Sequence, residues 1–146
     1  MFNRLRNTFK HGVHPPEHKD ETNGLAIRQF SFAPVITLPT SQHLGKPSKI
    51  IVREGQEVVR GQLLAEADGM MSVPLHAPAT GVVRKIANVP TISGKMTSGI
   101  FLESLTASGQ EVIEGTPISL ESSPEEILQG IQNAGIVGLG GAAFPT

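Results

Sequence analysis

Two groups of residues in this 146-residue chain are spaced for chemistry. His11, His14 and His18 stand close enough together to invite a metal ion, since neutral imidazoles are good ligands for zinc and its neighbours. Pro15 and Pro16 stop a helix from aligning the three rings, and no cysteine or well-placed carboxylate completes a tetrahedral set. The expectation is that they hold no metal. Gly138, Gly140 and Gly141 form the second group. Glycines this close let backbone N–H groups approach a phosphate without interference from Cβ atoms. The pattern lacks the lysine of a Walker sequence, and a helical rather than a strand pattern precedes it, which departs from the dinucleotide fingerprint. A plain flexible loop is the competing reading. His43 and His76 lie near turns with no candidate nucleophile beside them, so they read as structural, and no residue is expected to be catalytic. The chain has no cysteine, which excludes disulfides and thiolate ligation of zinc or an iron-sulfur cluster within these residues.

These groups flank a long β-patterned stretch, residues 48–86. Apolar residues come there in short bursts, and Gly55, Gly61, Gly69 and Gly81 punctuate them. No burst is long enough for a helix. The pattern V-x-x-G-Q-x-V-x-x-G-Q-x-L, followed by A-P-x-x-G-x-V, resembles the small barrel-sandwich domains that carry biotin or lipoate. Those domains present the cofactor on a lysine at the hairpin between the two half-motifs. Here the hairpin reads Glu66-Ala-Asp-Gly-Met-Met-Ser72, and no lysine occurs from Ile50 to Arg84. With no amine there is no amide to form, so the scaffold is expected without the carrier function. A carrier-like barrel associated with a transferase is the alternative.

The remaining composition fits a turn-rich β fold: sixteen glycines and eleven prolines disfavour a helical bundle. The length allows one ordinary domain, or a small domain and the beginning of another. A net charge of −1 argues against a nucleic-acid binder. The charge is uneven, however, with eight Lys/Arg against three Asp/Glu in residues 1–53 and four against ten in residues 54–146. A basic front third can dock an acidic protein or anionic lipid, or can be simply a solvated surface. No apolar run approaches the roughly eighteen residues of a membrane span, and the N-terminus lacks the apolar core of a secretory signal.

Along the chain, Phe2, Leu5 and Phe9 have helical spacing among basic residues, suiting a short amphipathic turn or a frayed end. Residues 27–38 read as a strand confined to an edge by Pro34, with Pro39 closing it. Residues 48–52 are expected to be the first barrel strand, residues 88–98 a loop, residues 99–105 a strand, and residues 107–110 a turn into a strand at 111–113. The phrase Gly-Gln-Glu-Val occurs at Gly55 and again at Gly109, a four-residue echo too short to establish a repeat. Residues 122–135 change period. Ser123 caps a helix, Pro124 suits its first position, Glu126 completes a capping box, Ile127, Leu128, Ile131 and Ala134 make an apolar face, and Gly135 ends it.

Three phrases in this order and spacing carry a closer resemblance. They are Gly12-Val-His-Pro-Pro-Glu-His-Lys19, the barrel block through His76-Ala-Pro-Ala-Thr-Gly81, and Ala134-Gly-Ile-Val-Gly-Leu-Gly-Gly-Ala-Ala-Phe-Pro-Thr146. Together they resemble the N-terminal part of the RnfC (RsxC) family, the C subunit of an ion-translocating electron-transport complex. The last phrase is also similar to the flavin- and NADH-binding loop of the 51 kDa-type subunit of respiratory complex I, which usually has Arg where Leu139 stands and Gly where Ala143 stands. The resemblance implies a mainly β barrel-sandwich hybrid fold followed by the first helix and glycine-rich loop of an α/β flavin domain. It divides the chain into a basic extension (1–35), a non-carrier barrel (36–121) and the start of an FMN/NADH-binding domain (122–146). It implies that Gly138, Gly140, Gly141, Ala142 and Phe144 contact the nucleotide in a complete subunit. That subunit would lie at the cytoplasmic face of the bacterial inner membrane and pass electrons between NADH and ferredoxin. FMN and two [4Fe-4S] clusters would serve it, and its partners would be the membrane subunits. No cofactor is expected in these residues alone.

Overall fold

β-Branched runs broken by glycine favour strands, and strands dominate the structure. The computed structural model describes residues 16–28, 31–91, 93–139 and 141–145. It comprises two units, Met1–Phe30 and Ser31–Thr146. In the first, Lys19–Glu21 form one turn of 3-10 helix entered from His18 in the left-handed region. Lys19 pairs with Glu17 at 2.9 Å and His18 with Glu21 at 3.5 Å, all four side chains exposed. Pairs this exposed add little stability. His11, His14 and the amphipathic residues 1–10 lie outside the described residues.

The second unit holds the barrel. Its strands are β1 (Val35–Pro39), β2 (Lys49–Ile50), β3 (Glu57–Val58), β4 (Leu63–Glu66), β5 (Leu75–His76), β6 (Gly81–Pro90) and β7 (Met96–Ser104). They form two antiparallel sheets, ordered β1-β7-β6-β3 and β2-β4-β5. Leu64 from the smaller sheet and Val58, Val83, Ile100 and Leu102 from the larger meet in one buried cluster with Val52 and Ala77, flanked by Leu38, Ile50 and Ile86. This is a small two-layer barrel sandwich, the expected class. A bulge at Arg84 in β6 re-phases the alternation, so that Val83 and Ile86 both reach the core while Arg84 turns out to pair with Glu103. In that exposed pair the hydrogen bond from Arg84 holds the Glu103 carboxyl below its ordinary value.

Three local expectations need correction. The loop expected over residues 88–98 is shorter than that: β6 runs to Pro90 and β7 starts at Met96, paired as far as Pro90↔Met96, so only residues 91–95 connect them. Pro90 occupies the last pair, at the mouth of the turn, where a missing N–H interrupts no further ladder. Residues 111–113 belong to no sheet, because they lie against a turn instead and Ile113 N–H donates to Arg60 O at 2.9 Å. Among the described residues of 27–38, the expected strand begins only at Val35.

The helix is where the caps put it. α1 (Pro124–Asn133) starts from Ser123, whose Oγ accepts from Glu126 N–H at 3.2 Å while the Glu126 carboxylate accepts from Ser123 N–H at 2.9 Å. It ends at Gly135 with φ +73°, where Gly135 N–H donates to Gln132 O and Ile136 N–H to Ile131 O, a Schellman arrangement. Beyond it β8 (Val137–Gly138) and β9 (Phe144–Pro145) pair in a two-stranded hairpin.

Candidate functional site

The place to look for carrier chemistry is the hairpin tip between β4 and β5. A turn rich in Gly and Asp is built to project from the sheet. Here it is tied down instead. The Gln132 side-chain amide of α1 donates to Ser72 O at 3.0 Å and lies within 3.4 Å of Met70 O and 3.5 Å of Gly69 O. On the other side Lys46 N–H donates to Met71 O at 2.9 Å, and the Lys46 ammonium pairs with Asp68 at 2.7 Å. Of the tip's two methionines, Met70 is 86% exposed, but Met71 is half-buried beside the Gly45 backbone. Sequence reasoning missed Gln132, and nothing local marks it, because its partners lie about sixty residues earlier.

The glycine-rich phrase forms the β8–β9 hairpin. Gly138 and Phe144 face each other in register, and Gly141 and Ala142 lie in the connecting turn. Gly140 falls outside the described residues. Ala143, at φ +52°, turns its carbonyl to accept from Leu44 N–H of the barrel at 3.1 Å. Gly141, Ala142 and Ala143 thereby form one wall of a groove of about 830 Å³, opposite Gln42, Pro90 and Lys95.

His43 and His76 make structural contacts. His43 is nearly buried, and its Nε2 is 3.0 Å from Lys46 O within its own loop. That loop is clipped by Ser48, whose Oγ donates to Val73 O at 2.7 Å, and by Thr40, whose Oγ1 donates to Ser98 O at 2.9 Å. His76 lines a second groove, of about 690 Å³, between the barrel and α1, with Glu126 and Gln129 on the helix and Glu114 opposite. Burial lowers the His76 pKa. His18 pairs with Glu21, and among the described residues no three His, Cys, Asp or Glu side chains cluster as a metal site would require.

The fold agrees with one family. Residues 7–107 match the RnfC barrel sandwich hybrid domain. The chain belongs to the RnfC family. It is 37% identical over 144 residues to the C subunit of the ion-translocating oxidoreductase complex of Haemophilus influenzae (strain 86-028NP), covering 94% of this chain and 21% of that protein. The protein of the same name from Pasteurella multocida (strain Pm70) is 38% identical over 143 residues, covering 94% of this chain and 17% of the relative. The C subunit of the Na(+)-translocating ferredoxin:NAD(+) oxidoreductase complex of Acetobacterium woodii is 35% identical over 151 aligned positions, covering 99% and 33%. This chain therefore spans between a sixth and a third of the length of these RnfC relatives.

Proposed function

We propose that this chain is the barrel module of the C subunit of an ion-translocating electron-transport complex, and that the module docks and spaces its neighbours without doing chemistry. The observation that carries this reading is the tip: residues 66–72 offer no lysine, and the tip's carbonyls are engaged by Gln132. A carrier needs a nucleophilic amine on a tip that swings free. In this reading the complete subunit lies at the cytoplasmic face of the bacterial inner membrane, contacts the membrane subunits, and exchanges electrons between NADH and ferredoxin. Its two [4Fe-4S] clusters need cysteines, which these 146 residues do not contain.

The glycine-rich hairpin fits one edge of an FMN site. A Cβ at Gly141 would meet nothing within 4 Å, and one at Gly138 would meet only Phe144 O, at 3.8 Å. The chain's own packing demands glycine at neither position, which leaves the backbone open to a phosphate. Gly138, Gly140, Gly141, Ala142 and Phe144 are the residues that would hold it. Bound FMN would supply a centre that accepts a hydride and releases electrons singly. Gly138 and Gly141 are both exposed, so the described residues leave a ring at these glycines open to solvent, and a nucleotide site needs enclosure. Calorimetric titration of FMN and NADH into the 146-residue chain should accordingly show no binding. Micromolar affinity with defined stoichiometry would mean that the site is already complete.

Docking is tested at Met70, an adaptable apolar side chain on the outer face of the tip. Met70→Ser in the complete subunit should reduce co-purification of the membrane subunits at unchanged melting temperature, and full recovery would end the tip's docking role. Intact mass of the native protein discriminates the alternative, since a biotinyl or lipoyl increment would establish a carrier.

A further inference from the structure

We infer that Gln132 is a positioning residue: by latching α1 to the barrel's hairpin tip, it sets where the glycine-rich hairpin sits. Little else holds the helix. A ten-residue helix is marginal alone, and helices in proteins are stabilised mainly by burying an apolar face. None of the residues of α1 is fully buried, and Leu128 of its apolar face is exposed. Where a broad apolar seam is missing, a few specific contacts decide the placement.

Those contacts lie on two sides of the helix and at its exit. Gly130 approaches Ile118 so closely that a Cβ there would overlap the Ile118 side chain. Gln132, two residues on, donates to Ser72 O at 3.0 Å, with Met70 O and Gly69 O near the limit of hydrogen-bond range. Gly135, in the terminating turn, brings the backbone to where a Cβ would be 2.9 Å from Pro74 O. Gly130 and Gly135 supply fit without attraction of their own; Gln132 supplies the directional bond. The hairpin follows at once, with β8 starting at Val137, and its far strand is held where Leu44 N–H donates to Ala143 O at 3.1 Å. The hairpin therefore has two anchors on the barrel: the Gln132–Gly135 end and the Leu44–Ala143 end. Gly138 and Gly141 lie between them. The position of the nucleotide-facing backbone is set from the barrel side, and the tip that carriers use to present a prosthetic group serves here as the seat of a helix.

The consequence for nucleotide binding rests on the proposed role of the glycine-rich loop, but the latch itself is testable without any nucleotide. Amide exchange is followed by NMR in the 146-residue chain and in Gln132→Ala and Gln132→Glu. The glutamate keeps length and volume but replaces the donor by an anion aimed at carbonyls. Exchange at Leu44 N–H, at the far anchor, should quicken about three- to tenfold in the alanine variant, the factor expected for one lost hydrogen bond, and by at least as much in the glutamate variant. Exchange at Val83 N–H, bonded to Gln56 O in the barrel core, should stay unchanged. Unchanged exchange at Leu44 would overturn the latch, and so would equal acceleration at Val83, which would indicate general loosening. FMN titration reports on the loop's function separately, so that reading can fail while the latch stands.

Discussion

The barrel contains the same turn twice, and the two copies differ in what covers them. Arg53-Glu-Gly-Gln56 and Val59-Arg-Gly-Gln62 each close through a hydrogen bond from the glutamine N–H to the first carbonyl, at 3.2 and 2.9 Å. Each places glycine third with φ near +80°, at +81° and +86°, the geometry of a type II turn. In each the glutamine Oε1 accepts from the first residue's N–H, at 3.1 and 3.0 Å. Each is clamped by a reciprocal pair to a neighbouring chain segment, Val83 for the first and Ala77 for the second. Over the first glycine a Cβ would meet nothing within 4 Å, whereas over the second it would lie 2.7 Å from Ile113 O. Residues 112–113 cross the second turn and bond to it through Ile113 N–H, and Thr80 Oγ1 accepts from Arg60 N–H at 3.1 Å. One four-residue code thus builds both turns, and a segment about fifty residues downstream decides which of them tolerates change.

Breaking the comparison at its strongest point means adding a methyl group to each glycine. Gly61→Ala carries the left-handed penalty and also collides with backbone that cannot swing away, so it should cost about 3 kcal/mol in denaturant unfolding. Gly55→Ala carries the conformational penalty alone, about 1 kcal/mol. Equal costs would show that the crossing segment is not held as described. Thr80→Val keeps the side-chain shape and removes an acceptor that only the second turn uses, at about 1 kcal/mol. Gln56→Ala and Gln62→Ala should each cost about 0.5–1 kcal/mol, nearly alike, because the side-chain bond is the same in both; a severalfold difference would mean the repeat is geometric only.

The smallest effect is a pH dependence at His76, next to the second turn's partner Ala77. Burial favours the neutral imidazole, so the folded pKa lies below the ordinary value of 6.5. Between the two values the unfolded chain binds more protons, so stability rises with pH across that window and levels off above it. His76→Gln should flatten this slope. An unchanged slope would assign it to another group.

What could be read from sequence was what is encoded locally. Ser123, Glu126 and Gly135 specify the helix within a dozen residues, and the glycine-glutamine spacing specifies both barrel turns. The echo at Gly109, too short to establish a repeat, does not carry that code. Gln110, at φ +52°, sends its amide to Thr80 and Leu105 and builds no equivalent turn. Residues 88–98 read as a loop because proline, serine, threonine and glycine make up more than half of them, yet pairing across β6 and β7 overrides that composition everywhere but at residues 91–95. The candidate site divides likewise. The missing lysine was legible, while the latch by Gln132 and the seating of Ala143 on Leu44 arise between segments far apart in the chain and leave no pattern in either.

Strand β1 has a consequence for synthesis. Its partner is β7, with Val35 opposite Glu103 and Pro39 opposite Gly99, so during translation β1 appears long before the strand it needs. Closing a loop of that length costs more chain entropy than closing the β6–β7 hairpin, so the hairpin should form first and β1 join last. Pulse-labelled exchange during refolding should then protect amides of β6 before those of β1, and the opposite order would move the nucleus to the N-terminal side. An unpaired strand is a template for pairing with another chain. Pro34 and Pro39 bracket this one, and the two residues that blunt an edge in the finished barrel also shield the nascent chain while its partner is still being made.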